Sequence, residues 1–181
     1  MTRPSAIAAA LCLAAGAFAG AGAIVPRSAA AADGCAGTSQ QVCNTQRVDA
    51  AFARWQAGST GFFEDLLSPD VVWTIHGSGP SAGTLHGRDT LIDKAVRPLT
   101  ERLASPLCPL RRQLWADGEH VIVQWQGAAN LPNGDIYRNQ YVWILRMRDG
   151  KAVQVDAYLD LAAYDAVLQR APAQLRRRTG R

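Results

Sequence analysis

After the apolar N-terminal segment, apolar positions repeat along the chain with a helical period. Between Val48 and Trp55 apolar residues recur at i, i+3, i+4 and i+7, which predicts one buried helix face. Thr38 and Gln41 have the spacing of a capping box at the start of this helix. Gly58 is a suitable residue to end it.

Three shorter segments follow, and each has a recognisable period. Residues 60–69 read as a second helix that is stopped by Pro69. Residues 70–76 alternate between apolar and polar side chains, which predicts a strand. Residues 90–103 form a third helical pattern, which Pro98 is expected to kink or split.

The longest regular pattern is an apolar alternation over residues 107–159. It is interrupted by Asp117-Gly118, Asn133-Gly134 and Asp149-Gly150, and these turn dipeptides recur every sixteen residues. Such dipeptides favour type I′ hairpin turns, because both central residues need a positive φ. The pattern predicts four long strands in an antiparallel meander, followed by a closing helix over residues 161–170.

This order of elements predicts an α+β fold. Helices come early and strands late, so we expect a curved antiparallel sheet that is wrapped by N-terminal helices. Long strands twist and curl when one side is covered. The result would be a cone with a central pocket for a small molecule.

The two ends of the chain differ in composition from its middle. Residues 1–32 have a positive start, an apolar run and a small-residue string that ends at Ala32, which indicates a cleaved signal peptide. We therefore expect an exported protein, periplasmic or secreted, with no membrane attachment after cleavage. Residues 33–42 would form an N-terminal lead, and residues 171–181 a basic, disordered tail.

Charge argues against a nucleic-acid partner. Residues 33–175 carry 13 Lys and Arg against 15 Asp and Glu, a net charge of −2, so the folded body has no basic excess. The glycine pattern over residues 77–82 leads through Pro80 into more loop and not into a helix. No nucleotide or other cofactor is implied.

Three cysteines remain after signal cleavage, and an oxidising compartment would favour a disulfide. Our first choice is a bridge between Cys35 and Cys43, which would tether the lead to the first helix. Pairing of either residue with Cys108 is the alternative. The sequence has no C-x-x-C or H-x-x-x-H pair, so no metal site is predicted.

Several segments together resemble a known family. They are Phe63–Trp73, Tyr137–Trp143 and Tyr158–Asp160, supported by the glycines near residues 58, 83 and 150. Over residues 43–170 the chain resembles the SnoaL-like proteins of the nuclear transport factor 2 superfamily, which includes ketosteroid isomerases and polyketide cyclases. The resemblance implies the cone-shaped fold, and it implies a homodimer.

Catalytic residues transfer only in part from these relatives. The three isomerase positions correspond to Ala51, Ile75 and Tyr141 here, which argues against steroid isomerisation. The acid/base residue of the cyclases corresponds to Asp160, and Asp156 precedes it on the same face of the strand. That acidic face alternates with an apolar face, and the sequence alone leaves open which of them is turned inward.

Aromatic residues of the predicted strands are the candidate pocket lining. The predicted ligand-binding residues are Trp73, Trp125, Asn139, Trp143 and Tyr158. Aromatic side chains mixed with an amide suit a cavity for a small, mostly apolar or carbonyl-bearing molecule. Trp55 and Trp115 are expected to be packing anchors.

Three functions are compatible with these features. The preferred one is an exported domain that holds a small molecule in an aromatic pocket. The alternative is an acid/base enzyme of the polyketide cyclase, isomerase or dehydratase type, which would use Asp160 or Asp156 with Tyr141. The second alternative is a homodimeric interaction module. The direction of the two aspartates should discriminate between binding and acid/base catalysis.

Overall fold

A computed structural model of the chain describes residues 38–172. The helical segments are α1 (Gln40–Gln56), α2 (Phe62–Leu66), α3 (Arg88–Leu91), a π-helical turn (Ile92–Val96), α4 (Arg97–Thr100) and α5 (Leu161–Leu168). The strands are β1 (Leu67–Ile75), β2 (Gly83–His86), β3 (Cys108–Asp117), β4 (His120–Asn130), β5 (Ile136–Arg148) and β6 (Lys151–Leu159). Within this range, no helix has the length and apolar character needed to span a membrane.

The predicted signal peptide and Cys35 lie outside the described residues, as do residues 33–37 of the N-terminal lead and residues 173–181 of the basic tail. The bridge between Cys35 and Cys43 therefore stays a prediction. Cys43 and Cys108 lie within the described part of the chain, and neither is a free thiol.

The strands form one curved sheet in the order β2-β1-β6-β5-β4-β3. The four-strand meander is confirmed, because β3, β4, β5 and β6 pair antiparallel in sequence order. The sheet is mixed, however, since β1 pairs with β6 in parallel. The α+β class is confirmed. Strand β2 was not predicted from the sequence, because its four residues are rich in glycine and polar side chains.

The tight turns agree with the sequence in part. Asp149 and Gly150 both have a positive φ, 50° and 76°, as a type I′ turn requires. In the other two turns, Gly118 and Gly134 have a positive φ, whereas the residues before them do not. The second hairpin is longer than predicted, because five residues separate β4 from β5.

Helix α1 packs its apolar face on the inner side of the sheet. Its N-cap is Ser39 and not the predicted Thr38, and the Ser39 hydroxyl accepts a hydrogen bond from the Val42 N–H at 3.4 Å. Phe52 has 0% of its surface exposed and lies at the centre of this contact. Its ring centroid is 5.5 Å from that of Trp125 and 5.8 Å from that of Trp143.

Two of the predicted helices contain a proline, and one of them is split as expected whereas the other is shorter than predicted. Pro98 has no N–H to donate, and the predicted third helix is accordingly split: the Arg97 N–H reaches back five residues to the Ile92 carbonyl. The second helix is shorter than predicted, because β1 already begins at Leu67. Pro69 is tolerated there because the pairing of β1 with β6 is interrupted between Leu67 and Val72.

A β-bulge decides which face of β6 is turned inward. Arg146 pairs with Gln154, whereas Met147 pairs with Ala152, so Val153 is the extra residue. Beyond the bulge, Val155 and Ala157 are buried. The apolar face therefore points to the interior, and the acidic face points outward.

Helix α5 begins at the end of β6 with a side-chain cap. The Asp160 carboxylate accepts a hydrogen bond from the Ala163 N–H at 3.1 Å. An N-cap satisfies a backbone donor that the first helical turn leaves unpaired. Asp160 therefore has a structural role at this junction.

We expect Asp160→Ala to lower the free energy of unfolding by about 1 kcal/mol, because the cap is lost. Asp160→Asn keeps an acceptor oxygen, so its loss should be smaller. Urea unfolding followed by circular dichroism measures both variants. Equal stability of Asp160→Ala and the wild type would contradict the capping role.

Candidate ligand-binding site

A cavity of about 630 Å³ lies between the inner face of the sheet and the helices. The sheet contributes Trp73, Ile75, Trp125, Tyr141, Trp143, Ala157 and Leu159 to its wall. The helices and connecting loops contribute Trp55, Ala57, Gly58, Ser59, Thr60, Phe62, Phe63, Leu91, Ala95, Val96, Leu99, Thr100, Pro106, Leu107 and Tyr164. The volume is in the range of sites for small organic molecules.

Aromatic rings form the sheet side of the wall. Trp73, Trp125 and Trp143, which the sequence analysis selected, all line the cavity. Trp73 and Trp143 meet edge to face with centroids 5.0 Å apart. Trp125 and Tyr141 stack with centroids 4.0 Å apart and an angle of 10° between the rings. These mutual contacts hold the rings in place, so the wall is largely preformed.

Some wall residues were not selected from the sequence. Trp55 was expected to be only a packing anchor, yet it packs against Phe62 and also lines the cavity. Tyr164 projects from α5 into the same wall, and its hydroxyl donates to the Ala95 carbonyl at 2.7 Å. Tyr164 could have been noticed in the sequence as the aromatic residue of an Ala-rich helix.

The wall also carries a connected polar group. The Tyr141 and Tyr137 hydroxyl oxygens are 2.9 Å apart, and the Asn139 side-chain amide donates to Tyr137 at 2.9 Å. Burial raises the pKa of the Tyr141 phenol far above its usual value, and it raises the pKa of Tyr137 as well. Both phenols therefore stay neutral at physiological pH.

Asn139 supports the wall and does not line it. Its Nδ2 atom donates to the Asp160 carbonyl at 2.9 Å, and its Oδ1 atom accepts from the Asp160 N–H at 3.0 Å. The cavity wall includes neither residue. The Asn139 amide joins β5 to the backbone at the start of α5, which corrects the expectation that this amide faces a ligand. The Asp160 carboxylate, whose direction the sequence left open, caps α5.

The two other predicted residues of β6 lie on the outer face of the sheet. Asp156 Oδ1 is 2.8 Å from His76 Nε2, and the Tyr158 ring stacks on the His76 ring with centroids 4.6 Å apart. Tyr158 is exposed, and neither Asp156 nor Tyr158 belongs to the cavity wall. This position corrects the expectation that Tyr158 lines the pocket. For Asp156, whose direction the sequence left open, it shows that the side chain lies on the outer face.

The chemistry available at the wall follows from its residue types. Among the described residues, those that line the cavity include no Asp, Glu, His, Lys or Arg. No group of three or more potential metal ligands is found in the same part of the chain. The wall therefore offers apolar surface, aromatic faces and the hydroxyls of Tyr, Ser and Thr.

Solved structures of low sequence identity share this architecture. Bal32a, from a soil-derived mobile gene cassette, is 16% identical with a TM-score of 0.60, over 72% of this chain and 100% of its own. A nuclear transport factor 2-like protein from Burkholderia xenovorans is 21% identical with a TM-score of 0.54, over 71% and 98%. TerC, co-crystallized with polyporic acid, is 21% identical with a TM-score of 0.57, over 71% and 99%.

Comparison of the sequence with family models agrees with the fold. No curated protein matches the chain significantly. The model of the SnoaL-like domain matches residues 48–155, which run from α1 to β6 and include most of the aromatic wall. Since this match covers more than half of the sequence, the chain belongs to the family of SnoaL-like domains.

Proposed function

We propose that this chain is an exported domain that binds one small, mostly apolar molecule in the cavity. The observation that carries the proposal is the cavity itself, about 630 Å³ in volume and lined by four tryptophans and two tyrosines. Burial of a ligand against these rings would stabilise the complex through the hydrophobic effect and ring stacking. The signal-like segment over residues 1–32 supports export.

Binding is favoured over acid/base catalysis by the positions of the carboxylates. Proton transfer requires the acid or base within hydrogen-bond reach of the substrate. Asp156 bonds to His76 on the outer face, and Asp160 caps α5. Neither is placed to reach a molecule in the cavity, which leaves Tyr141 as the member of the predicted catalytic set that lines it.

Filling the cavity tests the proposal directly. Ala157 lines the wall and is buried, so Ala157→Leu should place a larger side chain in the space of the ligand. We expect at least a tenfold loss of affinity for the neutral fluorescent probe N-phenyl-1-naphthylamine, measured by fluorescence titration. Ala166 is exposed on α5, and Ala166→Leu is the matched control that should bind as the wild type does. Equal probe binding by all three proteins would contradict the proposed site.

We further propose that two copies of the chain pair through the outer face of the sheet. Trp115, expected to be a packing anchor, lies on this face and is 44% exposed. It pairs in register with Ile122, which pairs with Ile144, so an apolar row crosses three strands. Exposed apolar surface of this kind is typical of interaction sites.

A charge in this apolar row should weaken the dimer. We expect Trp115→Arg to shift the protein from dimer to monomer in light scattering coupled to size-exclusion chromatography. Val42 is similarly exposed, at 45%, but lies on α1, so Val42→Arg is the control that should stay dimeric. A wild-type protein that remains monomeric at high concentration would refute the pairing.

A further inference from the structure

We propose that the Tyr141 hydroxyl is an oriented hydrogen-bond donor in the cavity, so that the ligand carries an acceptor oxygen such as a carbonyl. This inference rests on the proposed binding function and deepens it. A series of hydrogen bonds runs from Asn139 through Tyr137 to Tyr141, and the position of each proton in it follows from its partners.

The orientation of the Asn139 amide is set by its contacts with a single residue. The Asp160 N–H can only donate, so the Asn139 atom 3.0 Å from it must be the carbonyl oxygen. The Asp160 carbonyl can only accept, so the atom 2.9 Å from it must be the amide nitrogen. That same nitrogen is 2.9 Å from the Tyr137 oxygen, to which it therefore donates its second proton.

The proton of Tyr137 is assigned next. Tyr137 is buried, and its oxygen already accepts from Asn139. Among the contacts of the described residues, the Tyr141 oxygen is the acceptor available to the Tyr137 proton, at 2.9 Å. A buried hydroxyl proton without an acceptor is costly, so Tyr137 donates to Tyr141.

The Tyr141 hydroxyl proton is then available to donate a hydrogen bond to a molecule in the cavity. Its oxygen accepts from Tyr137, and its ring belongs to the cavity wall. Each bond in the series polarises the next, which strengthens the terminal donor. The raised pKa of Tyr141 agrees with a neutral phenol that donates a hydrogen bond and does not carry a negative charge.

A second unsatisfied donor lies beside Tyr141. The Trp125 Nε1–H is buried and has no hydrogen-bond partner among the described residues, and its ring stacks on that of Tyr141. Tyr164 differs, because its proton is already donated to the Ala95 carbonyl. Trp125 also lines the cavity, so the sheet wall holds a second donor without a protein partner, which favours a ligand with an acceptor over one with only apolar surface.

A pair of planar probes that differ by one carbonyl tests the inference. Fluorene and 9-fluorenone have nearly the same size, and only fluorenone has an acceptor oxygen. We expect the wild type to bind fluorenone more tightly and to lower its carbonyl stretching frequency in the infrared, relative to fluorenone in hexane. Tyr141→Phe should weaken fluorenone binding by about tenfold, as expected for one lost hydrogen bond, and should leave fluorene binding unchanged.

Tyr158→Phe is the matched control. It also removes a Tyr hydroxyl from the sheet, but from the outer face, where the side chain is exposed and does not line the cavity, so the bound fluorenone band should stay where it is in the wild type. An unshifted band in the wild type would overturn the inference without any variant. So would a shift that survives Tyr141→Phe or is lost in Tyr158→Phe. Failure of both probes to bind would instead reject the cavity as a binding site, and with it this inference.

Discussion

The packing of Phe52 against Trp125 and Trp143 is the contact on which the interior of this protein depends. It joins α1 to two neighbouring strands of the sheet, and the Phe52 side chain is fully buried within it. Trp55, one helical turn further along, extends the same cluster with a ring 5.1 Å from Trp125. The aromatic cluster thus serves as core on its α1 side and as cavity wall on the other.

The cavity exists because small residues lie beside these large rings. Ala157 faces inward on β6, and Gly127 occupies an inward position on β4. A Cβ atom at Gly127 would lie 2.9 Å from a ring atom of Trp125 and 3.4 Å from one of Tyr141. The glycine therefore allows Trp125 to stack on Tyr141, and this stack forms part of the cavity wall.

Much of the fold was accessible from the sequence, because it depends on local patterns. The three turn dipeptides marked the hairpins of the meander, and the alternation between them placed Trp125 and Trp143 on inner strand faces. The alternation over residues 70–76 did the same for Trp73. The buried face of α1 was likewise predicted from the helical spacing of its apolar residues. The split of the third helix at Pro98 was also expected, whereas the second helix does not extend to Pro69, because β1 begins at Leu67 and pairs with β6.

The candidate site was less accessible, because it depends on contacts between residues far apart in the sequence. One extra residue at Val153 reverses the alternation of β6, and so moves Asp156 and Tyr158 to the outer face. Likewise, no local pattern shows that both polar groups of Asn139 bind the backbone of Asp160. The sequence by itself determined the class of fold and its aromatic interior, since periodicity and turn chemistry are local properties. Only the tertiary structure decided which polar groups face the cavity, since a bulge and a hydrogen-bond partner are set by neighbouring strands.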